Sequence, residues 1–233
     1  MPYATAAIKL EGVSKTFVMH QQGGARLPVL AGIDLEVRPG ECVVLGGPSG
    51  TGKSSVLKMI YGNYRCDAGA ILVRDGVDTI DVADATPRRI AALRRTVLGY
   101  VSQFLRVIPR VATLEIVMAA ARETGTADGA ARARASDLLA RLRVPERLWP
   151  LPPATFSGGE QQRINIARGL AAERPILLLD EPTASLDAAN RATVVELLDE
   201  RKADGVALLG IFHDEDVRDR IADRVVDITR FAA

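Results

Sequence analysis

Two hydrophobic rhythms run along the chain. As far as Gly47, apolar residues come in short β-like stretches, "AAIKLEGV" (6–13), "KTFVM" (15–19), "PVLAGIDLEV" (28–37) and "ECVVLGG" (41–47), with turn-forming residues between them. This pattern predicts an antiparallel sheet near the N-terminus. Beyond Gly47, continuous apolar runs alternate with helical spacing. "VLGYVS" (97–102), "PILLLD" (175–180) and "VALLGIF" (206–212) read as parallel strands buried on both faces. Between Phe104 and Thr155 the strand signals stop. An Ala- and Arg-rich helical stretch there ends in the proline-laden "VPERLWPLPPATF" (144–156), which reads as a helical insertion.

Composition narrows the class. A chain of 233 residues with 48% hydrophobic and 25% charged positions fits one packed α/β domain carrying a small inserted subdomain. A net charge of +1 supplies no field for nucleic acid, and "RRIAALRR" (88–95) reads as a solvated helix face. No apolar stretch approaches the roughly 20 residues that span a bilayer, and "MPYATAAIKLEG" lacks a basic region followed by an apolar run. The expectation is therefore a cytoplasmic protein without direct membrane insertion. Cys42 and Cys66 have no second pair with which to form a metal site, and are read as ordinary residues.

Chemistry enters at Gly47, Pro48, Ser49, Gly50, Thr51, Gly52, Lys53 and Ser54, which match G-x-x-x-x-G-K-[ST] directly after a β run and before the helical "SVLKMIYG" (55–62). Glycines let the backbone turn successive N–H groups toward a phosphate chain, and a helix start adds its positive end; Ser55 belongs to the same turn. Lys53 is placed to reach the β- and γ-phosphates, and Ser54 to ligate Mg²⁺. "ILLLDEP" carries Asp180 and Glu181 to the end of a buried strand, where a carboxylate needs a partner or a metal. Asp180 is read as a metal-shell ligand and Glu181 as the group that polarises an attacking water.

These motifs, with "FSGGEQQR" (156–163), resemble the ATP-binding cassette ATPases over nearly the whole chain. The resemblance implies a phosphate-loop α/β fold: a mainly parallel core sheet, an N-terminal antiparallel β subdomain and an inserted α-helical subdomain. Residues 1–103 and 156–233 would form the nucleotide-binding core and 104–155 the helical part. It makes Gln103 a metal-side and catalytic residue, His213 a catalytic switch histidine, and Phe17 an adenine-stacking aromatic. Ser157, Gly158, Gly159 and Glu160 become a signature that closes on a partner's γ-phosphate, and Asp187 a residue at that dimer interface. Phe17 also fits a plain core aromatic and Asp187 a helix cap, whereas His20 reads as incidental.

The stretch "VSQFLRVIPRVATLEIVM" (101–118), together with "IYGNY" (60–64), "RVPERLW" (143–149), "TFSGGEQQRINIARG" (155–169) and "GIFHDEDVRDRIADRV" (210–225), goes beyond the cassette motifs and resembles the L-type subunits of the bacterial carbon–phosphorus lyase system. That resemblance implies an ATP- and Mg²⁺-using ATP hydrolase that pairs with itself or with a sister K subunit on the lyase core. It would support phosphonate breakdown as a component of ribose 1-methylphosphonate 5-triphosphate synthesis, in which phosphonate displaces the adenine of ATP. The alternative is the ATPase subunit of a membrane transporter, either a small-molecule importer or a lipoprotein or macrolide exporter. No recognised group is built for glycosidic displacement, since all converge on triphosphate and Mg²⁺.

Overall fold

A computed structural model describes residues 6–19, 23–103, 105 and 110–233; His20 and Phe104 lie outside the described residues. The described residues form an α/β fold with two sheets. Five parallel strands form the core sheet in the order β6 (Leu98–Val101), β7 (Ile176–Asp180), β8 (Ala207–Ile211), β3 (Cys42–Gly46) and β9 (Arg224–Asp227). Four strands form the second sheet in the order β2 (Ala25–Val37), β1 (Ile8–Met19), β4 (Ala68–Asp75) and β5 (Asp78–Asp81), each neighbouring pair antiparallel where its register is defined.

The apolar runs explain the layering. In β3, Cys42 and Val44 face one core while Val43 and Leu45 face the other; Leu177 and Leu179 of β7 likewise oppose Ile176 and Leu178. A strand of continuous apolar residues is thus buried on both faces. One core is closed by α1 (Lys53–Ile60), α2 (Pro87–Thr96) and the antiparallel sheet. The other holds α3 (Thr113–Glu123), α4 (Asp128–Arg141), α5 (Gly158–Ala171), α6 (Ala188–Ala203) and α7 (Glu215–Ile221).

Four strands differ from the sequence pattern. The predicted "AAIKLEGV" and "KTFVM" join into the single strand β1, whose register against β2 shifts between Leu10 and Val13 and again on either side of Lys15. "ECVVLGG" belongs to the parallel sheet rather than to the antiparallel one. The antiparallel sheet is completed by β4 and β5, which come after α1 and which periodicity did not reveal. Cys42 and Cys66 are both buried free thiols, and burial pushes Cys42 up to about 12.

Parallel register brings the functional segments to one edge. Val101 pairs with Leu179, Asp180 with Ile211 and Val44 with Gly210, so the chain leaves β6, β7, β8 and β3 on the same side of the sheet. Helix α5 crosses close to that edge because residue 169 is glycine: a Cβ there would collide with the Val101 side chain. Gly169→Ala should therefore force α5 from β6 and cost about 1–3 kcal/mol, as overpacking of a filled core typically does. Thermal melting checks this, and an unchanged midpoint would mean that the contact relaxes freely.

Candidate functional site

The turn after β3 is shaped by its glycines. Gly52 caps α1 with φ 92°, and a Cβ there would stand 2.8 Å from Val29 Cγ1, so a side chain is excluded by both backbone and space. Lys53, the first residue of α1, is 7% exposed and donates from Nζ to the carbonyls of Gly47 and Pro48, each at 2.7 Å. Burial lowers its pKa, while the Glu181 carboxylate acts in the opposite direction. Thr51 closes the turn by donating to the Pro48 carbonyl at 2.9 Å. The lysine is thus held across the mouth of the loop by neutral acceptors that a phosphate can replace.

Opposite the loop, β7 delivers its two acids. Asp180 accepts from Ser54 Oγ at 2.9 Å and from the Tyr100 hydroxyl at 2.7 Å. Burial and the bond to Asp180 raise the Tyr100 pKa, so the phenol stays a donor. Glu181 has φ 53°, a left-handed conformation costly for a residue with a Cβ, which swings its carboxylate out of line with the strand. That carboxylate accepts from Gln103 Nε2 at 2.9 Å and meets His213 Nε2 at 2.7 Å. Gln103 follows β6 and His213 follows β8. Three strand ends thus supply one carboxylate-centred cluster.

A cleft of about 330 Å³ is lined by Phe17, Ser49, Lys53, Ser54, Glu181 and His213 among others, with Gly50, Gly52, Ser55, Leu27 and Val29 completing the wall, while Tyr100, Gln103 and Asp180 line a cleft of about 600 Å³. The Phe17 ring stands edge-on to Tyr64, with centroids 5.4 Å apart, and is half-buried at the cleft wall rather than in the core. Ser54 and the Asp180 carboxylate form a small hard-oxygen set suited to Mg²⁺, which favours one or two protein oxygens with phosphate and water completing its shell. Among the described residues no group of three or more His, Cys, Asp or Glu could by itself hold a metal. The donor set therefore fits a metal that arrives with a nucleotide.

The predicted signature residues stand at the starts of α5 and α6. None of Ser157, Gly158, Gly159, Glu160 or Asp187 is among the lining residues of the 330 Å³ cleft. Ser157 caps α5, accepting from the Glu160 N–H at 3.3 Å, and the Glu160 carboxylate takes the Ser157 N–H at 2.9 Å and the Ser157 hydroxyl at 2.8 Å. This is a reciprocal capping box on an exposed helix start. Asp187 caps α6 by accepting from the Asn190 N–H at 2.8 Å, and it is exposed.

Sequence reasoning missed the groups that lock this edge together. Gln162 donates to the Pro182 carbonyl at 2.9 Å and Asn165 to the Ser102 carbonyl at 2.6 Å, both from buried positions on α5. One helix therefore touches the loops after both β7 and β6. Polar side chains three apart on the apolar face of a helical pattern were the available signal, because buried amides need partners. Tyr100 was signalled only by its hydroxyl within the apolar run "VLGYV".

Residues 30–184 match the family model described as ABC transporter. The chain is 40% identical over 220 residues, 94% of its own length and 92% of the relative's, to the lipoprotein-releasing system ATP-binding protein LolD of Maricaulis maris (strain MCS10). It is 38% identical over 221 residues to the macrolide export ATP-binding/permease protein MacB of Brucella abortus (strain 2308), covering 95% of this chain but 33% of that protein. It is also similar to the dimeric post-hydrolysis structure of the ATP-binding cassette MJ0796 bound to ADP and Pi. That match has a TM-score of 0.84 and 30% identity, and covers 95% of this chain and 94% of that one.

These relatives overturn the carbon–phosphorus lyase expectation, together with its K-subunit and lyase-core partners and its part in ribose 1-methylphosphonate 5-triphosphate synthesis. Three of the sequence pieces behind it do structural work. Tyr61 of "IYGNY" packs on Tyr100, Trp149 of "RVPERLW" donates to the Val144 carbonyl at 2.9 Å, and Asp214 of "GIFHDE" caps α7. Residues that build a fold do not report a substrate.

The capping box makes a pH prediction. The Ser157 hydroxyl, and then its N–H, hold the Glu160 carboxyl below the usual glutamate range. A depressed native pKa adds stability that is present above the unfolded value near about pH 4.3 and is lost as pH falls through the native one. Glu160→Gln keeps a capping side chain but not the titration. The stability difference between the wild type and this variant should shrink on acidification from about pH 6 to about pH 3, measured by thermal melting. A constant difference would show that the box does not hold in solution.

Proposed function

The chain belongs to the ABC transporter family of ATPases, and on that premise we propose that it powers a membrane exporter of the lipoprotein-releasing or macrolide class from the cytoplasmic face of the membrane. Membership brings ATP binding and hydrolysis with it. The observation that carries the finer reading is the similarity to LolD over 94% of this chain and 92% of that protein, supported by the MacB match. No helix among the described residues is long and apolar enough to cross a membrane, so in this reading the path for cargo belongs to a permease.

In this reading ATP occupies the 330 Å³ cleft, with adenine toward Phe17 and phosphates over Gly47, Pro48, Ser49, Gly50, Thr51, Gly52, Lys53, Ser54 and Ser55. Ser54, Asp180 and Gln103 hold Mg²⁺, which supplies charge neutralisation of the phosphates. Glu181 accepts the proton of the attacking water, and Gln103 and His213, already bonded to its two oxygens, keep it aimed. Ser157, Gly158, Gly159 and Glu160 of a second cassette close over the γ-phosphate, and Asp187 lies at that interface. The dimeric form of the similar cassette MJ0796 supports such an arrangement.

We further take residues 1–103 and 156–233 as the nucleotide-binding core and 104–155 as a helical subdomain facing the permease; residues 104 and 106–109 of it lie outside the described residues. A cleft of about 450 Å³ on that side, bounded by α2, α3 and α5, carries Arg94, Arg95 and Arg174 beside Glu115 and Glu123. With Tyr61, Tyr100, Val111 and Ile116 also on its wall, it is a mixed apolar and charged surface suited to a permease loop.

Two substitutions test the chemistry. Lys53→Ala should abolish nucleotide binding by removing the phosphate-facing cation. Glu181→Gln should bind as the wild type does yet turn over about 10²–10⁴-fold more slowly, since an amide cannot accept a proton. Titration with a fluorescent ATP analogue and a phosphate-release assay separate the two effects. Equal loss of affinity in both variants would contradict the assignment of separate roles.

A further inference from the structure

Asp180 ends β7 almost fully buried, at 7% exposure, and both oxygens of its carboxylate are engaged. Oδ1 accepts from Ser54 and Oδ2 from the phenol of Tyr100, at 2.9 Å and 2.7 Å. Strand register builds the second bond. Tyr100 pairs with Leu178 in the parallel β6–β7 ladder, so Asp180, two residues on, has its side chain on the same face and within reach of a long aromatic. The aromatic ring is itself held. Tyr61 packs against it with centroids 4.9 Å apart and planes at 41°. The Arg94 guanidinium covers Tyr61 at 4.6 Å and donates to the Tyr61 carbonyl and to Asn63 Oδ1, both at 2.8 Å. The hydroxyl is therefore fixed from behind by a stack that starts on α2.

An aspartate carboxylate turns broadly about its last torsion unless both oxygens are restrained. We propose that Tyr100 is a positioning residue for the metal site: by holding Oδ2 of Asp180 it keeps Oδ1 beside Ser54 Oγ, as the oxygen pair that receives the cation of the incoming nucleotide. The inference rests on the reading of this cleft as an ATP and Mg²⁺ site. Tyr100 touches neither nucleotide nor metal; it acts through Asp180, as groups behind metal ligands commonly do. Tyr100 also lines the clefts of about 450 and about 600 Å³ on the α2 side, so the residue that orients Asp180 forms part of the surface assigned above to the permease.

Tyr100→Phe preserves the ring on Tyr61 and removes only the donor. In the full chain, binding of a fluorescent ATP analogue is measured in excess EDTA and across a Mg²⁺ titration, and Mn²⁺ uptake in the presence of nucleotide is followed by electron paramagnetic resonance. The expected result is about a tenfold or greater rise in the Mg²⁺ concentration that gives half-maximal stimulation of binding, with a matching loss of Mn²⁺ affinity and unaltered affinity in EDTA. Asp180→Asn serves as the reference and should abolish metal stimulation. An unchanged Mg²⁺ midpoint in Tyr100→Phe, with Asp180→Asn still abolishing stimulation, overturns the role of Tyr100 alone. Loss of affinity in EDTA would mark Tyr100 as structural and also overturn it. Absence of metal stimulation in the wild type, or indifference to Asp180→Asn, overturns the reading of the metal site and the inference with it.

Discussion

Two carboxylates at the end of a strand buried on both faces are the constraint around which this edge of the molecule is built. Asp180 and Glu181 cannot be left uncompensated there, because an unpaired charge in such surroundings costs several kcal/mol. Each is satisfied differently. Asp180 stays in line with β7 and is clamped between Ser54 of the phosphate loop and Tyr100 of β6. Glu181 leaves the strand through a left-handed backbone and is met by Gln103 and His213 from the neighbouring strands. The first arrangement fixes a buried carboxylate beside the phosphate loop, and the second leaves a carboxylate lining the cleft.

The same edge explains how α5, with its exposed start, is tied to the site. Gln162 and Asn165 hold α5 to the carbonyls after Asp180–Glu181 and just before Gln103, and the absence of a side chain at Gly169 lets the helix approach β6. The start of α5 meanwhile projects Ser157 and Gly158 to solvent. A displacement of that start by a second cassette would thus be felt through two hydrogen bonds at the loops that carry Gln103 and Glu181. The helix faces outward with one end and inward with its flank.

The positions of the phosphate loop, Asp180, Glu181, Gln103 and His213 were legible because each follows an apolar run, and parallel strands place the residues after such runs on one edge. What escaped lacks that pattern. β5 and β9 are short edge strands whose side chains are mostly exposed, so backbone pairing defines them and hydrophobic alternation does not. The shifts in β1 break its period where Gly12 and Ser14 interrupt the ladder. Tyr100, Gln162 and Asn165 act through single hydrogen bonds across the fold, which no local window contains. The work to which ATP is put was misread for a related reason: every recognised motif concerns triphosphate, and the residues taken as signs of phosphonate chemistry serve packing and capping.

The central claim is that one chain holds half of each ATP site and that a second cassette completes it. In that arrangement closure depends on concentration and on nucleotide, as the dimeric form of the similar cassette MJ0796 suggests. The most direct test is the mass of the Glu181→Gln chain in solution, by light scattering or sedimentation, with and without ATP and Mg²⁺. The account predicts a monomer without nucleotide and a dimer that retains ATP when it is supplied, with Ser157→Arg in the same background remaining monomeric. A chain that stays monomeric with saturating ATP and Mg²⁺, while the wild type keeps its specific activity on dilution to the nanomolar range, would contradict it.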